Sequence, residues 1–358
     1  MLTKYIDHER LIHSIKTVIA CLIGLLITKN ISYVTDQWIV ITIIIVMCAQ
    51  LYVGSVLQKA YFRFLGTLVG CFFAAATLIL LGQDTLSVVV AITIASFIFS
   101  YIATARENLV YTGTLGAVTT AIVMLSPHPT LVLAFGRFIE ISIGILIATL
   151  VSQFVLPIHA RTHLQRAQVA ALKQLHDYYT ALIINRDHKR SLDEYHEMDE
   201  QVVTFLLKQR QLAKESARER LGITFNPTQF MHTLYYEREM LRAITFMNIA
   251  LTKAQQLNHV ILTSLESQHF NELVLQALNT LIKKLESPHK THDPLILPDF
   301  AALETTLLNT IQHLQYKNQV PINGFLFATD ILLTSLLHLA NSYHVTIANK
   351  KSETLNNE

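Results

Sequence analysis

Charge is scarce in the first part of this chain. Residues 1–156 hold eight Lys/Arg and six Asp/Glu, whereas residues 157–358 hold twenty of each. A water-soluble domain carries charge over its whole surface, so this scarcity excludes one for residues 1–156. Cysteine is rare as well. Cys21, Cys48 and Cys71 all fall inside apolar runs and read as buried small hydrophobes. Neither a disulfide framework nor a Cys-based metal site can be built from them. No Gly-rich phosphate loop, nucleophile elbow or alternating strand pattern occurs, so the sequence shows no enzyme signature and calls for no cofactor. The first apolar run, Leu11 to Thr28, lacks a small-residue cleavage site and reads as a retained helix.

What is present is apolar length. A bilayer core takes about 20 mostly apolar residues per helix, and six such runs occur, near 11–28, 38–55, 64–82, 86–104, 109–126 and 131–156. They predict an all-α membrane protein: a six-helix transmembrane domain over 1–157, then a cytoplasmic helical domain over 158–358. Basic residues gather on the cytoplasmic side of membranes. Lys4, Arg10, Lys16, Lys59, Arg63, Arg106, Arg161 and Arg166 fall on one side of the spans, and Lys29 on the other. Both termini are therefore expected inside a cell (inner) membrane. Trp38 and Tyr33 mark the outer interface, and Tyr52, Tyr61, Tyr101 and Tyr111 the inner one. Tight loops imply that sequential spans are antiparallel neighbours, with Lys16 snorkelling inward.

Residues 38–70 form the most informative stretch. A Trp38-led span runs into a short basic turn with Lys59 and Arg63, and a third span opens on Gly66, Thr67 and Gly70. Gly66, Gly70, Ala74 and Thr77 share one helix face. Such small-residue stripes let helices approach closely where lipid gives no hydrophobic drive to associate. Gly113 and Gly116, with Gly144 and Ala148 in the sixth span, offer more of the same surface. Lys59 and Arg63 read either as topological anchors or as a cationic mouth that raises local anion concentration. Arg106 with Glu107 reads as an anchor.

Two charges lie deep in the sixth span. Arg137 and Glu140 are three residues apart on one face, and each ionised group there costs about 2.5–3.5 kcal/mol. Two readings stand: a pair that satisfies itself, or an arginine that attracts an anion while Glu140 balances it or carries a proton.

These residues carry a resemblance. Trp38 with Ile41-Thr42, then Gly54, Lys59-Ala60, Arg63, Gly66-Thr67 and Gly70, with Arg137, Gly144 and Leu156-Pro157 further on, make the chain similar to one family. It resembles the fusaric acid resistance and aromatic acid exporter family, whose relatives include the plant aluminium-activated malate transporters. The likeness covers about residues 10–157, and in general plan the helical region behind it. It implies export of small organic anions, aromatic carboxylates among them, along a path formed by paired six-helix blocks. Only one block is present here, so the resemblance implies a homodimer; it does not carry a substrate. A passive anion channel and a membrane-anchored helical scaffold are the alternatives.

From Ala160 the pattern changes to amphipathic helix, with Leu164, Val169, Leu172, Leu175 and Tyr179 on one stripe. Helices are expected over 160–185, 193–220, from Pro227 to about Leu257, and near 258–287, 299–318 and 322–346. Gly222 and Asn226-Pro227 mark a break, and 287–298 the clearest loop. Phe325 to Leu339 is apolar enough for a seventh span, but Asp330, His338, Asn323 and Asn341 favour a buried bundle helix, and seven spans would put Lys350 and Lys351 outside. His159 with His163, and His289 with His292, are paired, yet no further ligand completes a zinc site. The expected partners are lipid, a small organic anion and a second copy of the chain, with no nucleic acid.

Overall fold

The computed structural model describes residues 8–30, 37–48, 50–106, 109–184, 186, 192–219, 225–254, 258–290, 293–313 and 319–348. Lys4, Tyr33, Glu107, Gly222, His292, Lys350 and Lys351, named above, lie outside them. The described residues form thirteen α-helices and no named strand, with one isolated bridge between Leu295 and Ile347. The chain divides into two compact units, residues 1–160 with 218–222, and residues 161–217 with 223–358.

The first unit holds α1 (His8–Asn30), α2 (Gln37–Met47), α3 (Val53–Leu80), α4 (Thr85–Ala105), α5 (Val110–Met124) and α6 (Leu131–Phe154). Their outward faces are apolar: Phe72, Phe97 and Val132 are 74%, 77% and 82% exposed. Apolar surface of that extent on every helix suits lipid rather than water. By length and composition α1, α3, α4, α6 and, in the second unit, α13 (Val320–Ser342) are able to cross a membrane, while α2 and α5 are shorter. At 1.5 Å per residue α2 covers about 16 Å and α5 about 22 Å, against a hydrocarbon core of about 30 Å.

The structure departs from the expected hairpin. α2 stops at Met47, and α3 begins at Val53 and runs unbroken through Lys59 and Arg63. The basic residues are thus inside a helix, not in a turn. At the end of α2 the Met47 carbonyl accepts from Gln50 N–H and lies 3.0 Å from His13 Nε2, and at the start of α3 Val53 N–H donates to the Ile158 carbonyl.

Neighbours also differ from the sequential order. α3 packs mainly on α5 and α6, and α2 on α6; α2 and α4 make little contact with α3. Glycine explains the choice. A Cβ on Gly66 would sit 2.8 Å from the Thr112 carbonyl oxygen, and one on Gly70 2.6 Å from that of Gly116. The two backbones meet directly, and Thr120 Oγ1 donates to the Gly70 carbonyl across the contact. Of the three cysteines only Cys71 is buried; Cys21 is half-buried and Cys48, past the end of α2, is exposed.

The second unit contains α7 (Ala160–Ile183, from Arg161), α8 (Leu192–Ser216), α9 (Pro227–Lys253), α10 (Asn258–Thr263), α11 (Leu265–Glu286), α12 (Phe300–His313) and α13. Pro227 opens α9 behind Asn226, whose side chain accepts from Thr228 N–H and Gln229 N–H. The helix expected over 258–287 is instead two, because Ser264 is extended and its hydroxyl accepts from Ser267 N–H as the cap of α11. On α7 Leu164, Leu172, Leu175 and Tyr179 are buried, while Val169 is half-buried and Ala167 and Ala171 complete the face. α13 lies along α9 with 56% of its apolar window buried, more than the 17–39% of the other long apolar helices.

Candidate functional site

The first unit buries two cations, Lys16 and Arg63, and two carboxylates, Glu140 and Glu219. On α1 the inward face is Lys16, Ala20, Gly24 and Thr28, at steps of four. Lys16 is 1% exposed, and its Nζ donates to the Ser152 carbonyl on α6 at 3.2 Å. It does not snorkel, because the helix turns it towards α6 rather than along the lipid face. The sequence reading of an inward snorkeller is thus corrected; the spacing of Lys16 with Ala20, Gly24 and Thr28 was the available signal of a packed face.

Arg63 is 2% exposed on the packed face of α3, four residues from Thr67 and three from Gly66. Its Nε has no hydrogen-bond partner, and the same holds for the buried hydroxyls of Thr67 and Tyr111. Lys59, one turn earlier, places Nζ 5.3 Å from the centroid of the Tyr111 ring on α5. Tyr111, expected in the aromatic belt, thus turns its ring towards Lys59 of α3. The burial that the α3–α5 contact imposes brings two cations and two unpartnered hydroxyls together on one side of that contact.

Arg137 and Glu140 behave differently. Arg137 Nη1 lies 2.7 Å from Glu140 Oε2, and the Arg137 guanidinium stands 5.1 Å over the Trp38 ring from α2. A charge-assisted hydrogen bond and a cation–π contact both stabilise the arginine. The ion pair of the first reading is present, while the buried Arg137 Nε takes no part in it. Gly144, one turn further along α6, would place a Cβ 2.7 Å from the Ile39 carbonyl oxygen and 2.8 Å from Thr42 Cβ. It is the point where α2 and α6 approach, which also brings Trp38 over Arg137.

Glu140 is taken by Arg137. Among the described residues, no carboxylate lies within ion-pair distance of Lys16 or Arg63. Burying an unpaired charge is costly. His159 Nδ1 lies 3.5 Å from Glu219 Oε2, whose other oxygen accepts from Ala160 N–H. No group of three or more metal-ligating side chains occurs among the described residues.

The model of the fusaric acid resistance protein family matches residues 10–319. A curated relative, the inner membrane protein YeeA of Escherichia coli (strain K12), is 27% identical over 143 residues, which is 40% of this chain and 40% of that protein. The matched stretch thus spans two-fifths of the relative's length. With apolar helices long enough to cross a bilayer and a family match over most of its length, the chain is a membrane protein. It belongs to the fusaric acid resistance protein family.

Proposed function

We propose that this chain exports small organic anions from the cytoplasm, with the buried cations Lys16 and Arg63 as the attracting charges. The observation that carries the reading is Arg63: nearly fully buried, in a helix read as membrane-spanning, and without a carboxylate partner among the described residues. An intramembrane charge is expensive and faces a partner or a wet cavity. Lys59 lies one turn away as an outer contributor, and Arg137–Glu140 fixes α2 to α6 through Trp38 rather than meeting the solute.

In this reading α1 to α6 are six spans, α13 belongs to the helical bundle of the second unit, and both termini are cytoplasmic by the basic bias of the loops. α2, about 16 Å long, would cross only part of the hydrocarbon core as a helix. Non-helical backbone at that depth is tolerated where it is buried in protein or lines a water-filled cavity. The relative's description as an inner membrane protein supports the same location. Two copies form the working unit, and the chain performs no catalysis of its own.

Purified chain in liposomes loaded with benzoate tests the proposal. Efflux above that of empty liposomes is expected. Efflux equal to the empty control for aromatic and aliphatic carboxylates alike, with the protein correctly inserted, would overturn it.

A further inference from the structure

α8 and α9 run antiparallel: Thr245 Oγ1 donates to Asp199 Oδ1 at 2.7 Å, and Gln209 Nε2 donates to Glu237 Oε2 at 2.6 Å. Between them, on the outer side of this hairpin, lies a groove of about 420 Å³. Its floor is Leu206 and Leu241, both buried. Its walls are Val203, Leu207, Phe246 and Ile249, which are 39%, 60%, 55% and 47% exposed.

The polar groups at the rim are not equivalent. Asp199 is already engaged by Thr245, and Arg242 pairs with Glu239 on its own helix. Arg238, which also lines the groove, has no acidic partner among the described residues. One guanidinium is therefore available beside an apolar cleft. A guanidinium binds a carboxylate or sulfonate through parallel hydrogen bonds.

The size of the groove argues against a protein guest. A stable protein interface uses about 20–30 residues a side, and here four apolar side chains stand exposed around a short cleft. The volume falls instead in the range of small-molecule sites, roughly 300–1,000 Å³, which are mostly apolar with a few fixed polar groups.

We propose that the α8–α9 groove binds an amphipathic organic anion, its apolar body against Leu207 and Phe246 and its acidic end on Arg238. The site is separate from the charges buried in the first unit, and it would place a ligand-sensing element in the second. It stands whether or not the first unit carries anions.

Full-length protein in lipid nanodiscs provides the test, with 2-naphthoate as the probe and 2-naphthalenemethanol as its uncharged counterpart. Hydrogen exchange read along α8 and α9 locates binding, and equilibrium dialysis gives its strength. Naphthoate is expected to slow exchange over 199–210 and 238–249, and the alcohol to do so only weakly. Arg238→Gln, on an exposed side chain, should weaken naphthoate binding by about tenfold or more, the worth of a hydrogen bond to a charged group. Leu207→Glu should abolish it by placing a like charge in the cleft. Arg63→Gln should leave this protection unchanged, which separates the groove from any conduit. No protection in α8 and α9 at millimolar naphthoate, or protection equal for the alcohol or for Arg238→Gln, would overturn the proposal.

Discussion

Arg137 Nη1 lies 2.7 Å from Glu140 Oε2 on the same face of α6. This pair absorbs the acidic group of the sixth helix, and among the described residues Lys16 of α1 and Arg63 of α3 have no carboxylate within ion-pair distance. The consequences differ for the two sets of charges.

Breaking the α6 pair should cost stability. Glu140→Gln leaves a largely buried arginine without its counter-charge, an arrangement that costs about 3 kcal/mol or more. Arg137→Gln combined with Glu140→Gln should recover most of that loss. Thermal unfolding of both variants and the double variant in detergent gives the coupling directly. Additive losses would show that the pair is not what holds the two groups.

Lys16 should show the opposite sign. Lys16→Met removes a buried cation and keeps a similar volume, so the protein should unfold at a higher temperature. Anion efflux from liposomes should fall in the same variant. Lower stability with unchanged efflux would make Lys16 a structural donor to Ser152 and nothing more.

Close approach of α3 and α5 predicts a sharp contrast between glycines. Gly70→Ala pushes a methyl group to 2.6 Å from the Gly116 carbonyl oxygen, whereas a Cβ on Gly136 of α6 meets nothing within 4 Å. The first should destabilise by about 1–3 kcal/mol, and Gly136→Ala should be neutral or stabilising by up to about 1 kcal/mol. Thermal unfolding ranks the two.

Glu237 predicts a pH dependence in the second unit. It is fully buried on α9, accepts from Gln209 Nε2 and Tyr343 hydroxyl, and burial pushes it up to about 7 from an ordinary 4.5 despite both hydrogen bonds. Between those values the folded chain keeps a proton that the unfolded chain has lost. Stability therefore falls as pH rises through that window, by on the order of 3 kcal/mol, and is flat above it. Hydrogen exchange of α9 in the full-length protein should show faster opening at pH 8 than in Glu237→Gln, and equal opening near pH 5. Equal opening at both pH values would remove the claim.

The helical character of both units was legible, since apolar length and 3.6-residue periodicity are properties of the chain alone. Pro227 behind Asn226 announced the start of α9 correctly. Other features were set by tertiary contact. Nothing local marks Met47 as a helix end; His13 of α1 and Ile158 take part in satisfying the backbone there. Lys16 and Arg137 are both charges in apolar runs, and only packing decides that one meets a carbonyl and the other a carboxylate and an indole. The α8–α9 groove escaped notice because Leu207 and Phe246 lie on separate helices and their alignment depends on the antiparallel register.

Export by Arg63→Gln is the most direct measurement. In liposomes at matched protein insertion, benzoate efflux should drop at least about tenfold, in line with a lost charged contact, and Arg63→Lys should keep part of it. Wild-type efflux of every carboxylate tried in the Gln variant would contradict the claim that this buried cation draws anions through the membrane.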